Sequence, residues 1–434
     1  MNKPIRRVAF FALIMFALLL GNVTYSVLFR QASLDANAQN RRTRDAEFAQ
    51  DRGAILATGK VPMAETQESN DRFRFQRVYP DDELYAVVTG YYSYDHARTG
   101  LENSYNTELA GTDDSLFVRR LVDLATNTAT KGASVQTTIV PRVQQAATQA
   151  LGNQKGAVVA LDPKTGAVLA MVTSPSYNPN EIASHDIEAA NKSWTRLAKD
   201  KTSPLSNRAA REIYPPGSTF KLVTAAAALE DGMTPESKIA SPDRLKLPNT
   251  QTYLPNSTNC GGSQTTLTNA LRVSCNTAFA NVGLKVGQDK LRDQAQKFGF
   301  NARHLNDLNG VASQFPDDMD AAQLALASIG QFDVAASPLQ MAMVTAGIAN
   351  DGAVMDPYVV SMVQGPDLKP MSTTKPAKLS QAMSPSNAKE LQEMMRIVVA
   401  QGTGSAAQIS GVSVGGKTGT AQSDPKRKPF AWFT

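Results

Sequence analysis

The chain has 434 residues, enough for two or three domains with a large core. Hydrophobic residues make up 42% and charged residues 19%, an ordinary globular balance, and the formal net charge is +5. The basic residues are scattered, with no aromatic-interleaved stripe, which argues against nucleic acid; three His and two Cys, far apart, argue against a metal centre. No phosphate-cradling glycine motif occurs, so no cofactor is expected.

Residues 8–29, VAFFALIMFALLLGNVTYSVLF, are the membrane candidate. As a helix they span about 33 Å, enough for a bilayer. Lys3, Arg6 and Arg7 precede them, which predicts an inside N-terminus and an extracytoplasmic body. The competing reading is a signal peptide cleaved near Ala36-Asn37-Ala38; the length of the apolar run favours an uncleaved, single-pass anchor over residues 1–30. Residues 31–130 carry many charges and turn residues and read as a non-catalytic pedestal. Residues 131–434 carry tighter patterning.

ASVQTTIV (133–140) predicts a strand, and PRVQQAATQAL (141–151) a helix opened by proline. GAVVALD and AVLAMVTS predict a hairpin turned by PKTG, followed by a polar stretch over 175–217. Helical patterning fills 266–300 and 318–349, and AKELQEMMRIVVAQGTG adds a late helix stopped by glycine. SVGGKTGTAQ returns to strand, and the chain ends at PFAWFT, inside what reads as a strand or hairpin, so truncation is expected. The order predicts an α+β fold: an antiparallel sheet packed with helices.

YPPGSTFKLVTAAAALEDG (214–232) turns from a Pro-Pro-Gly loop into an apolar helix at Ser218. As a cap, Ser218 needs no further explanation. As a nucleophile it needs a base, and Lys221 shares its helix face. Burial or a neighbouring positive charge would lower the lysine enough to serve. Ser-x-x-Lys recurs at Ser372/Lys375, Ser386/Lys389 and Ser423/Lys426, but these lie in polar or charged surroundings. Export makes a Cys260–Cys275 disulfide an expectation, with two small buried thiols as the alternative.

Two further elements complete a candidate site. Ser274-Cys275-Asn276 lies between helical stretches, where a hydroxyl projects from a loop. Ser-x-Asn also occurs at Ser104, Ser176 and Ser257, so position decides. Lys417-Thr418-Gly419, followed by Thr420, lies on a glycine-lined strand that lets a substrate backbone approach and suits a carboxylate. Ser-x-x-Lys, Ser-x-Asn and Lys-Thr-Gly in this order form the set of penicillin-binding proteins and class A β-lactamases.

With these motifs, and with Arg52-Gly53, GLENSYNTELAG (100–111), VVALDPKTGAVLAMVTSPSYNPN (158–180), SPLQMAMVTAGIANDG (337–352) and Gly402-Thr403-Gly404, the chain resembles class B penicillin-binding proteins along nearly its whole length. It is most similar to the actinobacterial penicillin-binding protein A group. Cys275 stands where many members have Asp, and Phe332 where Gly is frequent.

The resemblance implies a transpeptidase domain with a helical subdomain behind an anchor and pedestal. It implies a peptidoglycan D,D-transpeptidase of the cell membrane, blocked by β-lactams and working in wall synthesis and division, with a membrane glycan polymerase and division proteins as partners. Ser218 would be the nucleophile, Lys221 the base, Ser274 the proton relay and Lys417 a nearby positive charge. Asn276 would hold the substrate amide, and Thr418, Gly419 and Thr420 would line the carboxylate and oxyanion sites. The alternatives are a carboxypeptidase or β-lactamase with the same motifs, and a non-enzymatic division scaffold. A hydrolase motif at Gly411-Val412-Ser413-Val414-Gly415 is set aside because strand follows it, and no histidine does.

Overall fold

The computed structural model describes residues 3–30, 41–113, 131–422 and 428–434. Helix α1 (Lys3–Tyr25) runs on through a π turn to Arg30. Its best 18-residue window has a mean hydropathy of 2.1 and none of it is buried, so it is long and apolar enough to cross a membrane. The expected cleavage site at Ala36–Ala38 lies outside the described residues.

The largest sheet joins the two halves of the chain. Strands β1 (Ile55–Leu56), β2 (Pro62–Glu68) and β3 (Phe75–Val78) come from the N-terminal part, with Ile55 opposite Ala64 and Glu65 opposite Val78. Strand β4 (Ser134–Thr137) lies parallel to β1, Ile55 beside Val135. The order is completed by two strands from far along the chain, Val360–Gln364 and Pro370–Thr373, the first antiparallel to β4. The parallel pair joins β1 to β4, and the strand pairs between described residues of 131–434 are antiparallel, as expected. Short alternating stretches such as SVQT fix which face is buried but not which neighbour pairs. The α+β class stands.

Helix α2 (Pro141–Leu151) packs on the hairpin of β5 (Gly156–Leu161) and β6 (Val168–Ser174), the unit expected from PKTG. Helix α3 (Lys221–Glu230) buries every residue from Lys221 to Leu229. A helix apolar all round belongs inside a core. It packs against α4 (Asn276–Val286) and the late helix α5 (Pro385–Gln401), while a short helix over Leu267–Arg272 leads into α4. The last pair of strands is β7 (Thr418–Ala421) and β8 (Phe430–Phe433), antiparallel with Gly419 opposite Trp432. One core cluster runs from Ile55 through Leu222 and Phe279 to Val398, so the N-terminal part and the segment after residue 131 share buried surface.

Candidate active site

Ser218 sits in a 3₁₀ turn, Gly217–Phe220, that precedes α3, and Pro216 rather than Ser218 holds the cap position. The capping reading fails because the turn is too tight for the serine to flank the helix. Gly217 adopts φ +52°, and a Cβ there would meet the Thr420 carbonyl oxygen at 2.7 Å. Glycine lets this turn lie against β7. Gly217, Thr219, Phe220 and Lys221 are buried, whereas Ser218 is half-buried, so its side chain reaches the surface of the cleft.

Lys221 is fully buried. Its Nζ donates to the Ser274 carbonyl at 2.8 Å and to Asn276 Oδ1 at 2.8 Å, and lies 3.3 Å from Ser274 Oγ. Burial, and then the neighbouring Lys417, push its pKa well below the ordinary lysine value. All three neighbours are neutral oxygens. A neutral amine fits them: two N–H bonds serve the two carbonyl-type oxygens, and the lone pair is left toward a hydroxyl.

Lys417 is equally buried and donates to Ser274 Oγ at 2.9 Å and to the Thr418 carbonyl at 2.8 Å. Burial pulls its pKa down to about 7. Two lysines from opposite ends of the site therefore converge on one hydroxyl.

Ser274 occupies the corner between the 267–272 helix and α4 with φ +60°. A non-glycine residue there carries strain of about 1 kcal/mol or more and persists only when its surroundings hold it. They do so from two sides. Ser274 N–H donates to Leu271 and Cys275 N–H to Ala270, at 3.2 and 2.8 Å. On the other side, segment 255–260 braces the corner: Asn256 Oδ1 accepts from the N–H groups of Asn276 and Thr277 at 2.9 and 3.0 Å. Asn276 Nδ2 donates to the Pro255 carbonyl at 3.1 Å, which fixes its Oδ1 toward Lys221. Cys260 and Cys275 are joined as a disulfide, Cα atoms 5.5 Å apart, in the same brace.

The register of β7 orients the rest. Lys417 and Thr434 exchange backbone hydrogen bonds in both directions. In an antiparallel ladder such pairs alternate, so the backbone groups of Thr418 and Thr420 point away from β8, toward the Ser218 turn. Gly419 is enclosed: a Cβ there would lie 2.9 Å from Thr219 Cγ2 and 2.9 Å from Trp432 Cβ. Thr418 is half-buried and Thr420 exposed, on one face.

Lys221, Ser274, Asn276 and Lys417 thus form one hydrogen-bonded network, with Thr418 attached through its carbonyl and Ser218 on the turn beside Thr420. The rival serines lie elsewhere. Ser372 and Ser386 are exposed with exposed lysines, and Ser423/Lys426 lies outside the described residues. Ser413 is exposed, just beyond a turn closed by an Ile409–Val412 bridge. Asn256 was missed in the sequence; an Asn in a Pro-Asn-Ser turn is an ordinary loop signal. Thr403 was missed as a site residue too.

The match to the penicillin binding protein transpeptidase domain spans residues 156–434. The chain belongs to this family. A second family model, the penicillin binding protein A dimerisation domain, matches residues 52–135. A curated relative, the peptidoglycan D,D-transpeptidase PbpA of Mycolicibacterium smegmatis, is 44% identical, with 100% of this chain and 90% of the relative aligned. Its Mycobacterium tuberculosis counterpart is 42% identical with the same coverage. Among solved structures, penicillin-binding protein A of M. tuberculosis as a ceftriaxone acyl-enzyme has a TM-score of 0.86, covering 90% of both chains. The penicillin G acyl-enzyme of that protein has a TM-score of 0.84, covering 88% of this chain and 89% of that one. The expected resemblance to the penicillin-binding protein A group is thereby borne out.

Proposed function

We propose that this penicillin-binding protein is a peptidoglycan D,D-transpeptidase with Ser218 as its nucleophile. The observation that carries this reading is the convergence of Lys221 and Lys417 on Ser274 Oγ beside the Ser218 turn. Ser218 Oγ bonds to the penultimate D-Ala carbonyl carbon of a stem peptide, and its proton passes to Lys221. The C–N bond to the terminal D-Ala breaks, and Ser274 relays a proton to the leaving amine. An amine of a neighbouring stem then attacks the ester, forms the crosslink and returns the proton to Ser218. The N–H groups of Ser218 and Thr420 serve as oxyanion donors, each worth about 3 kcal/mol. The first belongs to a helix's opening turn and the second points off β7. Asn276 holds the stem amide, and Thr418 and Thr420 hold the terminal carboxylate; the missing side chain of Gly419 leaves room for Thr219 and Trp432 and not for substrate, so its part is to let β7 pack against the Ser218 turn.

Residues 1–30 anchor the chain, residues 31–130 form the pedestal, and residues 131–434 form the catalytic unit. Lys3, Arg6 and Arg7 place the N-terminus inside and the body outside the cell membrane. Stem peptides and β-lactams are the ligands. Association with a membrane glycan polymerase and division proteins rests on the family resemblance. The test is peptide mapping after labelled penicillin. The adduct is expected on Ser218 and is lost in Ser218→Ala; an adduct on another serine overturns the assignment.

A further inference from the structure

We propose that Thr403 is a positioning residue for the carboxylate site, setting the Thr418 hydroxyl and with it the enzyme's preference for carboxylate-bearing acyl donors. The inference rests on the reading of Thr418 given above.

Thr403 Oγ1 lies 2.7 Å from Thr418 Oγ1. It comes from the turn that ends α5, fifteen residues before Thr418 in sequence. The turn is pinned on both sides. Gly402 and Gly404 N–H groups donate to the Val398 carbonyl at 3.0 and 3.1 Å, and Thr403 N–H to the Arg272 carbonyl at 3.2 Å. Arg272 Nη1 donates in return to the Gln401 carbonyl at 2.9 Å. Arg272 ends the short helix that delivers Ser274. The Thr403 hydroxyl is therefore fixed by the element that carries Ser274 and directed at the strand that carries Lys417.

Thr403 is exposed and Thr418 half-buried, so this hydroxyl pair is open to solvent and not enclosed in the core. Each hydroxyl has one proton and two lone pairs. One proton is used within the pair, and the other remains to point outward. With Thr403 donating to Thr418, the Thr418 proton faces a carboxylate oxygen and is polarised by the bond behind it. A lone Thr418 would spread its proton over several rotamers. This backing matters because Lys417, the charge nearest Thr418, already donates to Ser274 and the Thr418 carbonyl.

The experiment compares benzylpenicillin with its methyl ester on the full chain in detergent, resolving pre-acylation binding from the acylation rate constant. The wild type is expected to prefer the acid. Thr403→Val is expected to cut that preference about tenfold, by removing the hydroxyl that orients Thr418 and so weakening the Thr418 bond to the carboxylate, and to do so in the binding step. Thr403→Ser is expected to restore it. If Thr418→Val collapses the preference while Thr403→Val leaves it unchanged, the role of Thr403 is overturned and the Thr418 reading survives. If the wild type shows no preference for the acid, both fall. A Thr403→Val variant that loses acid and ester reactivity equally marks a purely structural residue and also overturns the proposal.

Discussion

At the scale of the residue, the proposed site turns on a lysine whose charged form is disfavoured by its surroundings. Lys221 owes its depressed pKa first to burial and then to Lys417. As the proposed base, Lys221 must be deprotonated to accept the Ser218 proton, so acylation is expected to rise as pH climbs through the Lys221 pKa. Lys221→Met is expected to slow acylation by about 10²- to 10⁴-fold, the usual worth of a general base. Lys417→Met removes the neighbouring charge, which lifts the Lys221 pKa. The acidic limb of its residual acylation is therefore expected to move to higher pH. Acylation rates against pH check both; a limb that stays in place excludes coupling between the two lysines.

At the scale of the element, the strained corner at Ser274 is held by a brace as well as by the helix that precedes it. Segment 255–260 supplies Asn256, Pro255 and one half of the disulfide. The crosslink spans a sequence separation of 15, which in the chain-entropy account stabilises by about 3 kcal/mol. The double variant Cys260→Ser/Cys275→Ser is expected to lose about that much in denaturant unfolding. Its acylation should fall as well, because a loosened corner moves Ser274 away from both lysines. Intact acylation in the destabilised variant would show that hydrogen bonds alone hold the corner.

At the scale of the whole molecule, the N-terminal part is stitched by a buried charge cluster. Glu102 accepts from Arg52 Nε and Arg77 Nε, each at 2.6 Å, and from Tyr79 OH at 3.2 Å. Burial would raise the Glu102 carboxyl, but the two arginines outweigh it and hold the pKa below the usual carboxylate value. Stability from this group is present above its unfolded pKa of about 4.3 and lost as pH falls through the lower folded value. Glu102→Gln leaves two buried guanidinium groups uncompensated and is expected to cost about 3–5 kcal/mol by chemical denaturation.

The fate of the acyl-enzyme is also decided at this scale. The glutamates nearest in sequence are engaged elsewhere: Glu181 with Arg196, Glu188 with Lys192, Glu212 with Ser206 and Tyr214, and Glu230 with Ser384 and Asn387. With these four glutamates held by other partners, the penicilloyl-enzyme is expected to persist far beyond seconds. Release of labelled penicilloate within seconds would instead mark a β-lactamase.

The sequence by itself determined the chemistry. The only Ser-x-x-Lys leading into an apolar helix pointed to Ser218 and Lys221, and the order of three motifs pointed to the family. Local signals carried this because an Ala- and Leu-rich helix must be buried, and a lysine on it is buried with it. The hairpin turned by PKTG was legible for a similar reason, since a tight turn pairs neighbouring strands. What tertiary structure decided were contacts between distant segments. Strand 134–137 reads as an ordinary strand, yet it sits between β1 and strand 360–364, where loop closure and core packing select partners that alternation cannot name. Asn256 carries no signal of its own, and Thr403, although inside the Gly402-Thr403-Gly404 block, carries none for a place at the site; each lies beside a motif residue 15 to 20 positions away through one amide or hydroxyl. Such placement depends on how α3, α4 and α5 pack, because a hydrogen bond between segments requires their backbones to be held in register by the core between them.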